Sequence, residues 1–132
     1  MIENMHTGLA GYLRRTGMET GDEREDGGMV LVVDGQYRVY CHPAPGRALV
    51  LEARLARLPE DGAAADALLA AALLAAAPRL APHAQALALA PDGAALLLQQ
   101  WLGADGSVAE FEKGLEDFIN AIGYYHTLPG MG

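Results

Sequence analysis

The residues able to do chemistry are few in this sequence, and they are dispersed. The four histidines, His6, His42, His83 and His126, fall on separate segments, with no spacing that would let two of them share a metal ion. Each reads as a surface imidazole or one bonded inside the fold. Cys41 and His42 form the one pair in which an imidazole could help ionise a thiol, but neighbours in a strand point to opposite faces. Cys41 is therefore expected to be a buried structural thiol. Ser107, the only serine, stands outside any G-x-S-x-G turn. Glu110, Glu112, Glu116 and Asp117 alternate with Lys113 on what a helical projection makes the wet face. No G-x-x-x-x-G-K-S/T, G-x-G-x-x-G, H-E-x-x-H or C-x-x-C pattern occurs. No pair of titratable groups can be placed together from the sequence, so an enzyme is the weakest expectation, and no metal or cofactor is expected.

Composition narrows the partners. With 17 acidic against 9 basic residues and a formal charge of −8, the chain would repel a phosphate backbone, since nucleic-acid affinity comes largely from Lys and Arg neutralising phosphates. Nucleic acid and anionic membrane surfaces are poor partners for it. A single cysteine excludes an intrachain disulfide and suits a reducing compartment, with the cytoplasm as the expectation. The opening MIENMHTGLAGYLRR has no basic start followed by an apolar stretch and a small-residue cleavage site. Ala63 to Ala77 holds ten alanines, four leucines and one aspartate, shorter than the roughly 20 apolar residues a bilayer span needs. It reads as a soluble helix, buried on more than one side.

The elements that must position these residues follow from periodicity. A first helix is predicted from about Ile2 to Thr16, with Ile2, Met5, Leu9 and Leu13 on one stripe and Gly17 as its stop. Gly8 and Gly11 inside it each cost about 1 kcal/mol relative to alanine, so it must lean on tertiary or partner contacts. METGDEREDGG, Met18 to Gly28, carries five acidic residues and reads as a solvated loop. Met29 to Val33 and Gln36 to Cys41 flank Asp34-Gly35, a strong hairpin signal, because both central residues of a type I′ turn need positive φ. Pro43, Pro45 and Gly46 are expected to end that second strand, and Ala48 to Leu55 supplies a third.

After the alanine-rich helix, Leu87 and Leu89 alternate with small residues, Pro91-Asp92-Gly93 turns the chain, and Leu96 to Leu98 runs apolar. Trp101, closing that strand, is expected to be a core residue, with a role as an exposed partner anchor as the lesser reading. Ser107 and Glu110 make a capping box for a last helix, whose stripe is Val108, Phe111, Leu115, Phe118, Ile119 and Ile122. The 132 residues are expected to form one domain. Its class is α+β, in the order α-β-β-β-α-β-β-α, with a twisted antiparallel five-stranded sheet and helices packed on one face. The other face must be covered by a second copy or a bound peptide.

In this order, size and charge, and most of all in LALAPDGAALLLQQWLGADGSVAEFEKGLEDFINAIGYY, the chain resembles the class I type III secretion chaperones, the family of the intimin-receptor (Tir) chaperone. The resemblance implies a non-enzymatic homodimer that uses no ATP and holds the N-terminal segment of a secreted effector in extended, secretion-competent form, with the secretion apparatus as a further partner. It implies effector contacts at Leu9, Leu13, Met29, Leu31, Val39, Leu49 and Leu51, and dimer contacts at Leu68, Leu69, Leu73, Leu74, Leu87 and Leu89. The alternative is a dimeric regulatory or adaptor domain that binds a folded protein partner or a small apolar ligand.

Overall fold

In a computed structural model, residues 6–17, 28–76, 85–104 and 106–131 are described. The elements run α1 (Thr7–Thr16), β1 (Met29–Val33), β2 (Tyr37–Ala44), β3 (Ala48–Arg57), α2 (Gly62–Ala76), β4 (Gln85–Leu89), β5 (Ala95–Leu102) and α3 (Val108–His126). The five strands make one antiparallel sheet in the order β1-β2-β3-β5-β4. By contact, the chain falls into two compact units, Met1–Glu52 with Gln100–Ile119 and Ala53–Gln99 with Asn120–Gly132.

In the first unit the hairpin turn behaves as its residue types require. Asp34 and Gly35 both take positive φ, 55° and 70°, and the Gln36 amide closes the turn on the Val33 carbonyl at 3.1 Å. That turn fixes the register Met29↔Cys41 through Val33↔Tyr37. The second strand runs on through Pro43 to Ala44, past the expected break. Pro43 pairs with Leu49 beyond the last β1 partner, Cys41, where a missing amide costs the β1–β2 ladder nothing. A short 3-10 turn, Pro45–Arg47, then leads into β3.

The first helix runs from Thr7, and the part of the expected span from Ile2 to Met5 lies outside the described residues. The His6 backbone is non-helical, and its imidazole accepts the Leu9 amide at 3.3 Å, a cap that sets the helix start. The acidic stretch up to residue 27 also lies outside the described residues. Gly17 ends the helix in the left-handed region at φ 67°, with its amide on the Leu13 carbonyl. At the other end of the unit, the Ser107 hydroxyl accepts the Glu110 amide at 3.1 Å and starts α3. The return contact of the expected capping box is not made, and Glu110 stands exposed. Phe111 and Phe118 are almost wholly buried, each such burial being worth about 1.5–3 kcal/mol.

In the second unit, the Asp61 carboxylate accepts the Ala64 amide at 3.2 Å and caps α2. This helix is far less enclosed than its composition suggests. Ala72 and Ala76 are its buried residues, whereas Leu73 and Leu74 are 62% and 77% exposed. Alanine lets one narrow strip approach its neighbours closely, and the leucines stand off that strip. The Tyr124 hydroxyl donates to the Ala75 carbonyl at 3.2 Å and ties the last turns of α3 to α2. Between β4 and β5, Gly93 at φ 72° and the Asp92 carboxylate, which accepts the Ala94 amide at 2.9 Å, make the expected turn.

Candidate functional site

Two surfaces come out of this architecture, one in each unit. In the first, α1 lies directly against the start of α3. A β-carbon on Gly8 would come within 2.8 Å of the Ser107 carbonyl and 2.9 Å of the Phe111 Cβ, and one on Gly11 would overlap the Val108 Cγ2. The two glycines that weaken the isolated helix are what allow it to dock. The His6 ring pins the N-terminal end, its Nε2 lying 2.6 Å from the Gly103 carbonyl. Arg15 pairs with Glu112 at the other end. Between these ends, the Phe111 ring meets Tyr12 and His6, with centroids 5.1 and 6.4 Å apart.

Pairing partners across antiparallel strands share a face, so the registers sort the sheet of this unit. Met29, Leu31, Val39, Cys41, Leu49 and Leu51 lie on one face and Val30, Val32, Arg38, Tyr40, His42, Val50 and Glu52 on the other. The seven residues that the resemblance assigned to effector contact, Leu9, Leu13, Met29, Leu31, Val39, Leu49 and Leu51, are all at 7% exposure or less. In this chain they are packed into the core of the unit. Among the described residues of this unit, the large hydrophobic side chains that are exposed are instead Val32, at 44%, and Trp101, at 55%.

Trp101 is thus no core residue, and the reason is parity. Leu96, Leu98 and Gln100 are buried, and the Gln100 amide donates to the Gly114 carbonyl of α3 at 3.0 Å, which turns the next side chain to the opposite face. The unbroken run Leu96-Leu97-Leu98 hid that parity in the sequence. The contacts of His6 and Gln100 join different elements, 97 and 14 positions apart, and have no sequence signature.

The candidate nucleophile is inert. Burial pushes the Cys41 thiol up to about 12 from an ordinary 9.0. His42 lies on the opposite face, stacked on Tyr40 at 4.8 Å and with its Nε2 3.7 Å from a Glu52 oxygen. Among the described residues, no cluster of three or more His, Cys, Asp or Glu could hold a metal ion. Among the same residues, no helix is long and apolar enough to cross a membrane.

In the second unit the residues expected at a dimer contact stand apart from its core. Leu73, Leu74 and Leu89 are exposed, at 62%, 77% and 53%, and Leu68, Leu69 and Leu87 are half-buried. None of the six is fully enclosed by the lone chain. Leu68 touches the C-terminal segment, where a β-carbon on Gly130 would lie 3.3 Å from its Cδ1.

The profile of the Tir chaperone protein (CesT) family matches residues 8–124, which is most of the chain and runs from α1 almost to the end of α3. The chain belongs to this family. Three solved structures share its fold. The ExsC–ExsE complex aligns with a TM-score of 0.68 at 18% identity, covering 92% of this chain and 90% of that one. The HopA1–SchA chaperone–effector complex aligns at 0.65 and 16% identity, covering 89% of each chain. The Yersinia pestis type III secretion chaperone SycH, in complex with a stable fragment of YscM2, aligns at 0.60 and 21% identity, covering 89% of this chain and 96% of that one. At these identities the likeness to the three is one of fold. No curated protein sequence matches the chain.

Proposed function

We propose that this CesT-family chain is a chaperone of the bacterial cytoplasm that acts as a homodimer, binds the N-terminal segment of a type III secretion effector in extended form and keeps it competent for secretion. The reading is carried by the family match together with a fold shared, over about nine-tenths of the chain, with chaperones solved in complex with their partners. It needs no catalytic residue and no cofactor. Its physics is that of a strand laid along a sheet, in which main-chain hydrogen bonds supply affinity and side-chain contacts supply selectivity.

Two local features support it. Among the described strands β1 is an end strand of the sheet, with β2 as its neighbour, and it carries the exposed Val32. Trp101 offers an aromatic side chain of the kind that anchors protein interfaces. In this arrangement Leu9, Leu13, Met29, Leu31, Val39, Leu49 and Leu51 serve the effector from beneath, by holding α1 and the first three strands in place. Leu68, Leu69, Leu73, Leu74, Leu87 and Leu89 supply the dimer contact, which accounts for adjacent leucines left in solvent on α2.

The test is co-expression with the secreted protein encoded beside it, followed by sizing and limited proteolysis of the complex. A dimer that protects an extended N-terminal stretch of the partner is the expected result. A complex that buries only a folded domain of the partner would replace this reading with that of an adaptor.

A further inference from the structure

We infer that α1 is a strap, clasped by His6, which lifts from α3 as a unit while the sheet beneath stays folded. The helix has only ten residues and contains Gly8 and Gly11, well short of the ~12–15 residues at which an isolated helix becomes even marginal in water. Its conformation therefore depends on its contact with α3. That contact is unusual in being made at two positions by the absence of a side chain, so it is close without being interlocked.

Along its length the strap is held by the buried Leu9 and Leu13, and its polar ties stand at the two ends. At the N-terminal end one ring does two tasks. The His6 Nδ1 accepts the Leu9 amide at 3.3 Å while Nε2 donates to the Gly103 carbonyl at 2.6 Å, so the same side chain both starts the helix and ties it to the loop before α3. At the C-terminal end stands the Arg15–Glu112 pair, whose arginine is 62% exposed and which is therefore a weak tie. Gly17 ends the strap in the left-handed region, its amide on the Leu13 carbonyl and no atom within 4 Å of where a β-carbon would stand. Under it lies Phe111, 1% exposed and faced by Tyr12, His6 and Gly8. Lifting α1 would bring Phe111, Leu9 and Leu13 to the surface together, the latter two being residues expected at the effector contact yet enclosed in the lone chain. Resting on the function proposed above, strap opening would set how fast an effector segment engages this part of the molecule.

The experiment is amide hydrogen exchange on the full-length protein, followed residue by residue without a partner. In the unsubstituted chain, the Leu13 and Gly17 amides should exchange at least roughly tenfold faster than those of Leu51 and Phe118, as a locally opening segment does. His6→Ala should accelerate Leu13 and Gly17 by roughly a further tenfold, the loss expected for a helix cap, and leave Leu51 and Phe118 unchanged. Arg15→Ala should do the same by a few-fold, and it serves should His6→Ala fold poorly. Equal exchange at all four positions, or acceleration of all four together, would show that α1 opens only with the whole fold and would overturn the inference. A chain that binds no effector segment would defeat the proposed function while leaving this result readable. If a segment does bind, His6→Ala should raise its association rate, and a lowered rate would break the link to binding.

Discussion

Gly11 on α1 and Val108 on α3 approach so closely that a β-carbon on the glycine would occupy the space of the valine Cγ2. The isolated helix would gain about 1 kcal/mol from Gly11→Ala, but forcing a methyl into a filled contact costs about 1–3 kcal/mol. We expect Gly11→Ala to lower stability by about 1 kcal/mol in urea denaturation, and Gly11→Ala with Val108→Ala to recover part of the loss. A stabilised single variant would show that α1 does not rest on α3 in this way.

The buried thiol makes a prediction about pH. Cys41 is held neutral by burial, so the folded chain keeps its proton up to about 12, whereas the unfolded chain releases it near the ordinary 9.0. A raised value for an acid means that stability is fully present below pH 9.0 and is lost as pH rises from there toward about 12. The stability difference between the natural chain and Cys41→Ala should therefore shrink across that window. At neutral pH, Cys41 should resist alkylation until denaturant is added, and rapid labelling of the native protein would contradict its burial.

Ser107 and Glu110 separate two halves of a cap. The serine accepts the Glu110 amide, but the glutamate does not return the contact. Ser107→Ala should cost about 1 kcal/mol, while Glu110→Ala should cost no more than about 0.5 kcal/mol, from its place near the helix dipole. Equal losses in thermal or urea unfolding would mean that the box closes in solution.

Gln100 is a buried polar side chain whose amide donates to Gly114 on α3. Gln100→Ala should destabilise the chain by about 1–3 kcal/mol, as for other buried hydrogen bonds lost from one side. A cost near zero in the same denaturation assay would show that the bond orders the helix without stabilising it.

Leu74 gives the dimer proposal its sharpest test. At 77% exposure in the lone chain it contributes little to the fold, so Leu74→Asp should leave the far-ultraviolet spectrum intact. Light scattering should nonetheless report a monomer in place of a dimer. A dimer that survives both Leu73→Asp and Leu74→Asp would move the contact off α2.

Local rules were legible in the residues. Asp34-Gly35 and Asp92-Gly93 turn the chain because glycine tolerates positive φ, and Ser107 starts α3 because its hydroxyl reaches a free amide. Tertiary facts were not. His6 caps α1 although histidine is not among the usual capping residues, and its second bond is to Gly103, 97 positions away. The surface residues were the hardest to sort, since Leu9 and Leu31 have the apolar character of an interface and the burial of a core. An aspartate at either position would be trapped without a partner inside the first unit, so such variants would report on folding instead of on binding. Trp101 shows the converse, because parity along β5 overrides the preference of tryptophan for the interior.

The 97-position separation of His6 from Gly103 also orders events during synthesis. A ribosome adds about 5–20 residues per second, so the first turn of α1 is made on the order of ten seconds before the loop that receives it. Until then α1 lacks the surface on α3 that it docks against, so an element made before its partner completes its contacts only after it.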